Sequence, residues 1–180
     1  WSAPHVGNTR AGANLLAARA LPDPPPAIAS NESSSPDPGG ATRNAAPYYD
    51  IPAHRLLHHF IPRGPVRTAS LRGLGALPNV FALEGFLDEL AVFSHTDPLD
   101  YRLAMLPDPR ARAVLGRAAA LAARARRGAS GSGIGLGLGF VRYKNRAGYA
   151  AVVAEVAVER EGRVTRVWCA ADAGLVIKPG

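Results

Sequence analysis

Residues 133–140 read Gly133-Ile134-Gly135-Leu136-Gly137-Leu138-Gly139-Phe140. Large apolar side chains alternate with glycine, a period of two that belongs to a β-strand and not to a helix. One face of this strand is bare backbone, so the pattern calls for a neighbour packed very closely against it. Downstream, Gly148 to Glu159 carries Tyr149, Val152, Val153, Val156 and Val158 and reads as a second strand. Arg160-Glu161-Gly162-Arg163 forms a tight turn, and Val164 to Ala171 returns as a third strand, so a β-hairpin closes the chain. The same glycines are no phosphate cradle. A dinucleotide fingerprint needs G-x-G-x-x-G between a strand and a helix, and here each glycine is two residues from the next.

Before Gly128 the period is helical. Val80, Leu83, Leu87 and Leu90/Ala91 make one apolar stripe over Asn79 to Ala91, with Glu84, Asp88 and Glu89 mostly off it. Pro78 suits a first turn, where its missing N–H has no helical partner. Asp97-Pro98 and Asp108-Pro109 each offer a carboxylate N-cap followed by proline at the first helical position. The helix from Pro109 puts Val114, Leu115, Ala118, Leu121 and Ala122 on one side and Arg110, Arg117 and Arg124 on another. Tyr48 to Val66, with Ile51, Leu56, Leu57, Phe60 and Ile61 among Pro52, Pro62 and Pro65, predicts short strands broken by turns. The fold class is therefore α+β: short mixed strands, two or three helices and a C-terminal β-hairpin.

Three regions follow. Residues 1–42 hold a short helical run (11–18) and then a Pro/Ser-rich surface excursion with prolines at 22, 24, 25, 26, 36 and 38. Residues 43–127 form a loop-and-helix region, and 128–180 the glycine-rich strand and hairpin. With 180 residues, 47% of them apolar, the chain has room for one domain with a core. No run approaches the ~18–20 apolar residues of a membrane span. Cys169 is alone, which excludes a disulfide framework and a thiolate metal cluster. The net charge of +7 is concentrated in Arg110 to Arg127, which has six arginines and no acid. The arginine stripe reads as a solvent or subunit face; contact with nucleic acid is the minority reading.

Most candidate chemistry has a plain explanation. His54, His58 and His59 lack helical geometry and an intervening acid, and read as ordinary polar side chains rather than metal ligands. Ser130 and Ser132 lie in a Gly/Ser turn without a nucleophile elbow. Glu84, Asp88 and Glu89 read as a solvated helix face, and Glu155 as a paired or edge carboxylate. Thr68-Ala69-Ser70-Leu71-Arg72-Gly73-Leu74-Gly75 is different, because small residues, a lone arginine and two glycines run directly into an amphipathic helix. Backbone N–H groups and a planar guanidinium there suit an anion or a cofactor, against the alternative of a simple strand–turn–helix.

At these residues the chain resembles the molybdenum hydroxylases related to xanthine dehydrogenase and aldehyde oxidase, in particular the molybdopterin-binding large subunit of isoquinoline-oxidoreductase type. Arg43-Asn44-Ala45-Ala46-Pro47-Tyr48-Tyr49-Asp50-Ile51-Pro52 is similar to the family's R-N-A-x-P-x-Y-x-x-P segment. Arg67 to Gly75 with the helix to Ala91 is similar to its cofactor loop, and Asp97 to Leu103 to its D-P-x-x-x-R-L turn. Phe140 to Asn145, Val152 to Val156 and Asp172-Ala173-Gly174 match the strands that follow. These blocks cover most of residues 43–177 in family order.

The resemblance implies hydroxylation of an aldehyde or an N-heteroaromatic carbon with water as oxygen donor. It implies a molybdopterin cofactor, in the cytosine dinucleotide form, and a [2Fe-2S] small partner subunit that carries electrons away. By position, Ser70, Leu71, Arg72 and Gly73 would hold the cofactor. Leu74, where relatives often place an aromatic, and Arg43 would line the substrate pocket. The family's catalytic glutamate lies downstream of this stretch and further cofactor loops lie upstream, so no catalytic residue or metal ligand is assigned here. Lys178-Pro179-Gly180 also departs from the N-P-D-G that follows D-A-G in relatives. The sole methionine is Met105. The chain thus reads as an internal piece of a large subunit, inactive alone and completed by the remainder of that subunit. The alternatives are a non-catalytic truncated remnant and a basic binding module built on the 110–127 helix.

Overall fold

The structure is a computed structural model that describes residues 20–23, 40–59, 72–123, 125, 133–158 and 161–177. Three helices precede three strands: α1 (Ala76–Phe93), α2 (Pro98–Ala104), α3 (Pro109–Leu121), β1 (Ile134–Arg142), β2 (Tyr149–Val158) and β3 (Gly162–Asp172). The chain divides into two compact units, residues 1–46 with 54–79 and residues 47–53 with 80–180. Ser70 and Leu71, the helical run of 11–18, most of the Pro/Ser-rich stretch and the 160–163 turn up to Arg160 fall outside the described residues.

The second unit is a sheet in the order β1-β2-β3, antiparallel throughout. The expected mixed pairing is absent among the described strands. Its inner face presents Phe140, Tyr149, Ala151, Val153 and Ala170 to Leu87, Leu106, Val114, Leu115, Ala118 and Ala122, and α3 packs on β2 and β3. Leu87, Leu106 and Leu115 are almost fully buried, and each such side chain contributes about 1.5–3 kcal/mol of transfer free energy. Leu121, expected on this side, is exposed; Ala111 and Ala119 are buried in the same helix.

Both aspartate caps form as the sequence predicts. Asp97 accepts the Leu99 N–H and Asp108 the Arg110 N–H, each at 2.9 Å, and proline follows each of them. α1 starts three residues before Asn79 and ends two after Ala91. Two other expectations turn out differently among the described residues. Residues 46–59 form bends and irregular chain with no strand, while 60–66 of the expected strand region lie outside the described residues; Leu56 and Leu57 are exposed, so 46–59 lacks the apolar face that would recruit a partner strand. No close neighbour lies on the glycine face of β1 among the described residues. A Cβ at Gly137 or Gly139 would meet nothing within 4 Å.

Candidate functional site

In the first unit, the loop before α1 is held against the turn at residues 40–43. The Gly75 N–H donates to Gly40 O at 3.0 Å, and Asn79 Nδ2 donates to Ala41 O at 2.9 Å and Arg43 O at 3.0 Å. Gly75 is indispensable to this approach, since a Cβ there would lie 2.1 Å from Ala41 O. Gly73 (φ 85°) and Leu74 (φ 55°) are both left-handed. That conformation suits glycine and costs a leucine ~1 kcal/mol or more. The tight 40–43 contact holds Leu74 in that state.

The loop thereby unites residues that the sequence separates by thirty positions. A Cβ on Gly40 would lie 2.7 Å from Leu74 Cδ1 and 3.1 Å from Arg43 Cζ, so the Leu74 and Arg43 side chains converge on this glycine. Arg72 is exposed, Arg43 and Leu74 are half-buried, and Gly73 opens outward: a Cβ on it would meet only Leu77, at 4.0 Å. The first turn of α1 contains no acid. An exposed guanidinium beside a helix start without its own carboxylate, on a loop with left-handed backbone, fits a group that carries phosphate.

The second unit contains polar constructions that the residue pattern did not reveal. Arg102 is fully buried and all five of its N–H donors are used. Nε reaches Glu84 Oε2 at 2.9 Å, Nη1 reaches Asp88 Oδ1 at 2.7 Å and Pro98 O at 3.1 Å, and Nη2 reaches Glu84 O at 2.9 Å and Leu138 O at 3.2 Å. Glu84 also accepts the Tyr49 hydroxyl at 2.8 Å and the Phe140 N–H at 2.9 Å. Glu84 is therefore no solvated-face residue, contrary to the expectation from helix spacing. Burial pushes the Glu84 carboxyl up against the lowering effect of Arg102, and pushes the Tyr49 hydroxyl up as well. The helical period alone does not reveal this hub; the signal was a lone arginine among Leu99, Tyr101, Leu103, Met105 and Leu106.

Further along the same sheet, Asp108 Oδ2 accepts both the Tyr48 hydroxyl (2.6 Å) and the Tyr149 hydroxyl (2.8 Å). These bonds, the Tyr48 one foremost, hold Asp108 down at about 2, while burial and Asp108 push Tyr149 up to about 12. The guanidiniums of Arg110 and Arg142 lie 4.8 and 4.7 Å from the Tyr149 ring centroid. Arg110 also pairs with Asp172, and Arg112 bonds the carbonyls of Leu103 and Leu106. Two arginines of the 110–127 segment are thus committed within the protein. Glu155 is paired, as expected, through Arg166 at 2.6 Å and Thr165 at 2.7 Å. Among the described residues, no group of three or more His, Cys, Asp or Glu could hold a metal ion, and no helix is long and apolar enough to cross a membrane.

The comparisons with known proteins bear on what this arrangement serves. The chain is 37% identical over 154 residues to the B subunit of nicotinate dehydrogenase from Pseudomonas putida, a match covering 76% of this chain and 13% of that protein. It is 36% identical over 136 residues to the beta subunit of isoquinoline 1-oxidoreductase from Brevundimonas diminuta, covering 73% of this chain and 17% of that protein. The chain therefore spans less than a fifth of the length of these relatives. No protein-family model matches it. The two likenesses support the molybdenum-hydroxylase-type kinship that the motifs of residues 43–177 imply, and they select neither enzyme.

Proposed function

We propose that this chain is an internal segment of the large subunit of a molybdenum hydroxylase, and that it helps to seat the molybdopterin without supplying the catalytic base. The substrate class is an N-heteroaromatic compound or an aldehyde. The remainder of the large subunit and an iron–sulfur small subunit are the partners, the latter carrying [2Fe-2S] clusters. Support for the class comes from two relatives named for oxidoreductases of nitrogen heterocycles. The observation that carries the local reading is the convergence of Arg43 and Leu74 around Gly40, beside a loop with an exposed Arg72.

When bound, the molybdenum–pterin group supplies the oxidation of carbon with water as oxygen source, which no side chain can perform. The chain's own contribution is binding and orientation. Arg72 offers a planar, permanently charged fork to the phosphates of the cofactor. Gly73 lets the backbone come close at a φ that other residues resist. Ser70 and Leu71 lie outside the described residues and are assigned to the cofactor by the resemblance alone. Leu74 and Arg43 form an apolar wall and a cation beside it, and a leucine in place of an aromatic there makes a looser clamp on a flat substrate.

The test uses the complete polypeptide that contains this segment, co-expressed with its small subunit. Arg72→Ala lowers bound pterin, measured as fluorescence after oxidative release, and lowers molybdenum by mass spectrometry in the same proportion. Unchanged pterin content in a folded Arg72→Ala protein sinks the cofactor-loop assignment.

A further inference from the structure

The sheet has two apolar faces, and among the described residues the helices cover one of them. α3 packs on β2 and β3, over the side that presents Phe140, Ala151, Val153 and Ala170. Side chains alternate along a strand, so the residues between these point the other way. On that opposite face Gly135, Gly137 and Gly139 stand beside Val156, Ala154 and Val152 of β2. The same three rows end on β3 in Val164, Val167 and Cys169. None of these nine positions carries a charge, and the one polar side chain among them is the Cys169 thiol.

A sheet face that meets water ordinarily carries the polar residues of each strand. Here the arrangement is reversed. Glu155 and Arg166 lie on the helix-bearing side, in the row of Leu136, while Val164 and Val167 on the other side are 58% and 57% exposed. The glycines weaken β1 as a strand and give it nothing to pack. A Cβ at Gly137 or Gly139 would meet nothing within 4 Å, so a neighbour has room to descend to the backbone. Transient contact faces carry polar groups; a face without them matches a permanent interface, which resembles a core cut in half.

We propose that this face is covered in the complete large subunit by an apolar layer of the same polypeptide, seated closest over Gly135, Gly137 and Gly139. The inference rests on the large-subunit reading and names the surface through which these residues join the rest of it. Length supports the choice of occupant. The matched stretches make up 13% and 17% of the two relatives, so such a polypeptide holds more than four-fifths of its residues elsewhere. Folding order supports it too. Left open until a separate subunit arrived, an uninterrupted apolar face would invite aggregation, whereas a layer of the same chain closes it as the subunit folds.

Cys169 reports on this face, because it stands on it and is exposed in these residues by themselves. The test uses the complete polypeptide with its small subunit, pulsed with N-ethylmaleimide and digested. The peptide containing Cys169 is quantified by mass spectrometry against a urea-unfolded control. Labelling is expected to be about a hundredfold slower in the native protein, and to stay slow after the small subunit is removed and at dilutions where the protein is monomeric. Gly137→Leu adds a side chain where these residues alone leave open space. In the complete subunit it lifts the layer and speeds the labelling about tenfold. Rapid labelling of Cys169 in the native, molybdenum-containing protein overturns the inference and leaves the large-subunit reading intact. So does protection that is lost on removing the small subunit or on dilution, because the cover would then be that subunit or a second copy. A native 18.8 kDa species without molybdenum removes both.

Discussion

Replacing Arg102 with methionine keeps most of the side-chain volume and removes five hydrogen bonds at once. The change leaves the Glu84 carboxylate, 7% exposed, with the Tyr49 hydroxyl and the Phe140 N–H as its remaining partners and no counter-charge. It also strips Leu138 O of its partner on the β1 edge. Breaking a buried ion pair from one side typically costs about 3–5 kcal/mol. Asp88, at 38% side-chain exposure, re-solvates and adds little to that. A loss of this size is a large share of the ~5–15 kcal/mol that holds an ordinary domain together. The assay is urea unfolding followed by Trp168 fluorescence, with Trp1 changed to Phe so that one indole reports. Arg102→Met lowers the midpoint with an unchanged slope, and at a typical urea slope of about 1–3 kcal/mol/M the shift exceeds 1 M. The double variant Arg102→Met/Glu84→Leu recovers part of the loss, because the unpaired buried charge is gone. A single-variant cost below about 1 kcal/mol would refute the hub as a structural anchor.

Three further outcomes follow from the geometry. Asp108 titrates at about 2 in the folded chain against an ordinary 3.8, so its contribution to stability is complete above pH 3.8 and is lost as the pH falls through about 2; Asp108→Asn, which still caps α3, flattens that acid limb in a pH series of thermal melts. Tyr149, pushed up to about 12, favours folding below pH 10, and this contribution disappears as the pH rises through 12, visible as a late tyrosinate absorbance near 295 nm. Gly75→Ala forces Cβ against the Ala41 carbonyl and destabilises the first unit by about 1–3 kcal/mol, whereas Gly137→Ala, with open space around it, is neutral or raises stability by up to ~1 kcal/mol in the same melts.

The sequence made local structure legible wherever a backbone rule acted alone. Asp97-Pro98 and Asp108-Pro109 marked two helix starts, the alternation from Gly133 to Phe140 marked a strand, and the two apolar runs after it marked a hairpin. It misled where tertiary pairing decided. Glu84 falls off the apolar stripe by helical period, yet Tyr49, Arg102 and Phe140, from three distant segments, enclose it. Residues 48–59 carry strand-forming residues, but Pro52 and the exposed Leu56 and Leu57 leave them without a ladder. For the candidate site, the residue types of 43 and 72–74 were readable from motifs. Their meeting at Gly40 was not, because a glycine's value as a contact point depends on what approaches it. Leu74 in a left-handed conformation was equally invisible, since that strain exists only while Gly75 lies against Ala41.

The central claim is that these residues are one part of a molybdenum-containing large subunit. Antibodies raised against the 180-residue chain should capture the native protein from its source cells, and mass, molybdenum and pterin can then be measured on the same preparation. The account predicts a polypeptide several times heavier than 18.8 kDa that carries molybdenum and pterin in about equal amounts. A native species of 18.8 kDa with neither would contradict it.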